Sequence, residues 1–79
     1  MTGYSITSKG GVLTKFETRW WQESLNENQR LIMLSLYLNK GRPMDIYEIA
    51  DFSGVGSAII SERELRELIA WGYAEKGKE

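Results

Sequence analysis

The sequence predicts a mostly α protein of four helices with at most one short two-stranded β ribbon. Three observations point there. Three apolar runs at helical spacing are each preceded by a capping pair, Asn26 with Gln29, Asp45 with Glu48 and Ser61 with Glu64. Glycine follows the last two of these runs, at Gly54 and Gly72, where helices commonly end. Alternation of apolar and polar residues is confined to the two ends of the chain, Tyr4 to Thr7 and Tyr73 to Lys76.

Tyr4-Ser5-Ile6-Thr7 is β-prone and reads as a short strand, and Lys9-Gly10-Gly11 as the turn after it. A first helix is predicted from Val12 to Glu23. Leu13, Phe16 and Trp20 then share one face, with Val12 at its flank, while Trp21 points away. One tryptophan of the pair belongs to the core, and the other, Trp21, is assigned to a homodimer interface, since large aromatics gather in cores and contact surfaces. Asn26 caps the second helix. Its run Leu31 to Leu38 is apolar nearly all round, so it is the central core element, with Met33 as packing. Gly41 suits the left-handed position beyond its end, and Arg42-Pro43 enforces the break.

Asp45 caps the third helix with Glu48, and Met44 can staple onto Ile49. Ile46, Ile49 and Ala50 form its inner face, and it stops near Ser53-Gly54. The fourth helix is predicted to begin at Ser61, with Ile60 stapling onto Leu65 and Leu65, Leu68 and Ile69 facing the core. Gly72 ends it, and Tyr73 to Lys76 can pair with Tyr4 to Thr7 as the second strand.

Seventy-nine residues allow one domain, an N-terminal strand and helix over 1–25 followed by a core over 26–76. Cysteine and histidine are both absent. Disulfides and thiolate metal sites are thereby excluded, and the commonest metal ligand and general base are missing. No carboxylate pair stands out as an acid–base couple. We therefore expect no catalytic site, no metal, no small-molecule cofactor and no enzyme activity. The run Leu31 to Leu38 is interrupted by Ser35 and too short to span a bilayer, and no signal peptide is visible, so a cytoplasmic protein is expected. The initial Met suggests a complete small gene product. Net charge is −1, but it is unevenly spread: residues 1–44 carry +3 and residues 45–79 carry −4.

Ile46 to Val55 resembles the first helix and turn of a helix-turn-helix, with the small Ala50 where the helices cross and Gly54 four residues on in the turn. Ile60 to Tyr73 resembles the recognition helix of winged helix-turn-helix domains and its exit, a leucine-rich helix ending in Gly plus an apolar residue. The resemblance covers residues 26–76, about two-thirds of the chain. It is to the superfamily, which includes small phage, plasmid and archaeal-type DNA-binding proteins. Three features depart from its pattern. The spacing from Gly54 to Leu65 is slightly long, which makes 55–60 a loop. Too few residues follow Gly72 for a two-stranded wing. The recognition helix is net acidic, which is unfavourable near phosphates.

The resemblance implies a DNA-binding transcription regulator, a homodimer on double-stranded DNA, with the last helix in the major groove. Its candidate contacts are Ser61, Arg63, Arg66 and Glu67 on that helix, and Lys76 and Lys78 where a wing tip would lie. Arginine forks onto guanine edges and phosphates. The plainer account of Arg63 and Arg66 is a solvated face laced by Glu–Arg pairs, and that of the two lysines a solubilising tail. The alternative function is a protein-interaction module on the same scaffold, a small phage or plasmid-type protein that docks onto a host complex through its acidic half.

Overall fold

Two short strands near the ends of the described chain close the fold. In a computed structural model, which describes residues 3–17, 19–40 and 42–77, strand β1 (Tyr4–Ile6) pairs antiparallel with β2 (Ala74–Lys76). Tyr4 lies opposite Lys76 and Ile6 opposite Ala74. On its other side, Tyr4 exchanges two backbone hydrogen bonds with Met44, of 2.8 and 3.0 Å. The ribbon and its pairing are as the sequence predicts.

Between the strands run α1 (Ser8–Phe16), α2 (Arg19–Ser24), α3 (Glu27–Leu38), α4 (Ile46–Ser53) and α5 (Ala58–Ala70). These are five helices among the described residues, not four, because the first predicted helix is two. It starts earlier than Val12. Thr7 caps it, its hydroxyl accepting from Gly10 N at 3.0 Å, so Lys9-Gly10-Gly11 is helix rather than turn. It breaks at Glu17, which takes the left-handed conformation with φ 44°.

Two assignments are corrected: α1 turns Gly10, Leu13 and Thr14 inward, which leaves Phe16 on its outer side, and the break resets the helical phase for Trp21. Phe16, expected inside, is 64% exposed, and Val12 is exposed beside it. Trp21, assigned to a homodimer interface, is only 5% exposed and packs in the chain's own core with Leu25. It offers no surface to a second subunit. The side chain of Trp20, expected on the Leu13 face, lies outside the described residues, as do Gly41 and Lys78.

Helix α3 touches α1, α4, α5 and β1 and is the centre of the packing. Ile32, Met33 and Leu36 are buried, although Leu34 and Leu38 reach solvent, so the helix is covered on fewer sides than its composition suggests. The capping boxes of α3 and α4 form as predicted, Asn26 with Gln29 and Asp45 with Glu48. Met44 and Ile49 are both buried in the same core cluster.

The start of α5 differs from expectation. It begins at Ala58, with Ser57 as N-cap, accepting from Ile60 N at 3.3 Å. Ser61 is fully buried, and its hydroxyl has no hydrogen-bond partner. Two serines compete for the cap. The earlier one wins because Gly54 and Gly56, at φ 85° and 78°, close the turn quickly, and Gly56 N bonds back to Ala50 O at 2.9 Å. Helix then starts soon enough to carry Ser61 onto the inner face with Leu65 and Leu68. The far end is a Schellman motif on Gly72 (φ 83°), with Tyr73 N donating to Leu68 O and Gly72 N to Ile69 O.

This exchange of roles sets opposite signs for two similar substitutions. Ser57→Ala is expected to cost about 1 kcal/mol through the lost cap. Ser61→Ala removes a buried hydroxyl that makes no bond, and is expected to be neutral or to stabilise by up to about 1 kcal/mol. Urea denaturation midpoints of the two variants check this. A larger loss at Ser61 than at Ser57 would contradict the cap assignment.

Candidate nucleic-acid interface

The turn from α4 to α5 is tied to both the end of α4 and the core. Gly54 N donates to Asp51 O at 3.2 Å, and Val55 packs against the core. Ala50 is buried where the helices approach. Helix α5 is thus seated by Ser61, Leu65 and Leu68 and presents the opposite side to solvent.

That outward side carries Ile59, Glu62, Arg63 and Arg66, which together line one surface hollow. Ile59 is 84% exposed, high for an aliphatic side chain. Arg66 Nη2 lies 2.9 Å from Glu62 Oε1, an exposed pair one helical turn apart. Such pairs are weak and readily exchanged for another anion. Arg66 also borders Lys76 across a second hollow that includes Tyr4 and Ile69. Strand β2 therefore brings Lys76 to the same side as Arg66. Lys78, the other wing-tip candidate, is not described.

The remaining glutamates of α5 are turned towards α3. The side chain of Glu64 is 7% exposed and accepts from Asn26 Nδ2, with Arg63 Nε at 3.7 Å. Glu67 accepts from Gln29 Nε2 at 2.9 Å and stays exposed. Ser61 is likewise removed from the surface by its burial. Sequence reasoning proposed six contact residues. The structure brings Arg63, Arg66 and Lys76 together, leaves Glu67 exposed with a bond to Gln29, and buries Ser61.

The reason lies in the residue types at the start of α3. Asn26 Oδ1 accepts from Gln29 N, and Gln29 Oε1 accepts from Asn26 N, which completes the capping box. The two amide nitrogens are left over, and each donates to one glutamate of α5. Serine and glutamate would cap equally well but would supply no such pair of donors. An Asn–Gln box is thus suited to holding carboxylates on a neighbouring helix.

Ile59 was missed by sequence reasoning because a helix starting at Ser61 leaves it in a loop. The signal for it was Ser57 directly after Gly56. Elsewhere, burial pushes the Tyr73 phenol above its ordinary pKa, so the group stays neutral at physiological pH. Its ring lies 4.9 Å below the Lys9 ammonium. Among the described residues no group of three or more acidic, His or Cys side chains could hold a metal ion, and no helix is long and apolar enough to cross a membrane.

No family model, curated protein or solved structure matches this chain.

Proposed function

We propose that this chain is a winged helix-turn-helix DNA-binding protein, a cytoplasmic transcription regulator that lays α5 in the major groove. One observation carries the reading. Arg63 and Arg66 stand on the outward face of α5 with Ile59 and Glu62, while Glu64 is buried against α3 and the exposed Glu67 accepts from Gln29. One of the three glutamates of α5 is thereby withdrawn from its outer face. Support also comes from the short α4, the buried Ala50 and the left-handed Gly54, which suit a helix-turn-helix. Strand β1 takes the place beside β2 that a wing's own hairpin partner would fill. Three described cations on this face are few for a monomer, so two copies on adjacent half-sites would double the phosphate contacts. Docking onto a basic partner through the acidic half is the second reading; Glu64 of that half is buried, while Asp51, Glu62, Glu67 and Glu75 are exposed.

A titration of labelled random duplex at several salt concentrations tests the proposal. With Arg63, Arg66 and Lys76 on phosphates, log affinity is expected to fall with log salt at a slope of about −3 per monomer. Absence of binding at low salt would remove the reading.

A further inference from the structure

A second surface shares no residue with the face of α5. Between α1 and the C-terminal end of α3 runs a groove of about 390 Å³. Its apolar part is Ile6, Val12, Phe16 and Tyr37, and its cations are Lys15 and Lys40. Each wall repeats one arrangement. On the α1 side, Lys15 Nζ lies 5.4 Å from the centre of the Phe16 ring. On the α3 side, Lys40 Nζ lies 4.6 Å from that of Tyr37. The described lining residues include no carboxylate. Glu17 follows Phe16 but does not face the groove. The surface is thus an apolar floor between two ammonium-bearing walls, with Val12 and Phe16 one helical turn apart and both exposed.

We infer that this groove docks an acidic amphipathic segment of a partner protein. The segment's apolar side chains lie on Val12, Phe16 and Tyr37, and its carboxylates reach Lys15 and Lys40. Charge decides between this occupant and two others. A second copy meeting this face by two-fold symmetry would bring four lysines together with no carboxylate from the groove, an arrangement that repels. A single-stranded nucleic acid would need open ring faces for its bases, and each ring already has one face under its own lysine. A carboxylate partner draws the ammonium groups outward and leaves the rings to apolar contact.

The test uses the full chain and two labelled helical peptides. Both carry leucine at i, i+4 spacing, and they differ only in having glutamate or lysine at the flanking positions. The glutamate peptide is expected to bind saturably, more weakly as salt rises, and the lysine peptide is not. Phe16→Ala should reduce the affinity for the glutamate peptide by roughly tenfold. The double variant Lys15→Glu, Lys40→Glu should reverse the preference between peptides. All these side chains are exposed, and a thermal melt like that of wild type shows that each variant folds. Arg63→Ala should leave peptide binding unchanged, which separates this surface from the DNA reading. Equal binding of both peptides, no saturable binding of either, or indifference to charge reversal overturns the proposal. So does a dimer mass that Phe16→Glu abolishes, or an oligothymidine complex that the double variant abolishes.

Discussion

Gly10→Ala is expected to destabilise the protein by about 3 kcal/mol, while Gly11→Ala, one residue on, is expected to stabilise it by about 0.5–1 kcal/mol. Both glycines lie inside α1, so intrinsic helix propensity favours alanine at each. Their surroundings differ. A Cβ on Gly10 would stand 2.0 Å from the Tyr73 carbonyl oxygen and 2.9 Å from Met33 Cε, whereas one on Gly11 would meet nothing within 4 Å. The contact at Gly10 is backbone against backbone, so no side chain can rotate aside. Nor can α1 withdraw cheaply. Thr7 N donates to Tyr73 O at 3.1 Å, Thr7 Oγ1 to Gly72 O at 2.6 Å and Lys9 Nζ to Trp71 O at 3.1 Å. Native proteins of this size are stable by only several kcal/mol, so Gly10→Ala removes a large part of the whole. Chemical denaturation of the two variants beside wild type measures it. Shifts of the same sign would mean that α1 does not rest on the Tyr73 backbone.

On DNA, Arg63→Ala is expected to cost about 1–3 kcal/mol at a selected site, and Glu62→Gln to raise affinity for random duplex. Arg66 is held by Glu62 at 2.9 Å, so it must exchange a carboxylate for a phosphate or base edge on binding. Removing the carboxylate relieves that competition and lowers the negative charge near the backbone. Arg63 is 3.7 Å from Glu64, whose own position is fixed by Asn26, and loses less on reaching outward. Arg63→Ala should therefore cost more than Arg66→Ala. Anisotropy titrations on selected and random duplexes resolve the three variants. If Arg63→Ala leaves the selected site unaffected, α5 is not the reading helix.

The helix starts that were legible in the sequence are those governed by contacts within one turn. The boxes at Asn26 and Asp45 are local, and both formed. The ribbon was legible because alternation at both ends had only one partner to find. Ser61 misled because a capping pattern carries no information about an earlier competitor, and Ser57 needs only the turn glycines to take the role. The break at Glu17 has no local signal, since a glutamate is a poor choice for a left-handed cap. With it went the placement of Trp21, whereas Phe16 was misplaced because α1 rests on Gly10 against the Tyr73 backbone, which turns Gly10, Leu13 and Thr14 inward. The direction of Glu64 and Glu67 was equally out of reach, because the donors that orient them stand on another helix, 38 positions away in the chain.

The closing of the ribbon also orders the assembly of the fold in time. Helices α3, α4 and α5 follow one another through short connections and can associate with little loss of chain entropy. The ribbon cannot. Thr7 and Gly72, which bond across its end, are separated by 65 positions, and Gly77 N reaches Gly3 O at 2.7 Å. Nearly the whole chain must be gathered before these contacts reward it. During synthesis β1 therefore has no partner strand until residues 74–76 have been made, and one of its edges is open until then. The same geometry places the two ends of the described chain side by side, so a short linker could join them and new ends could be opened elsewhere.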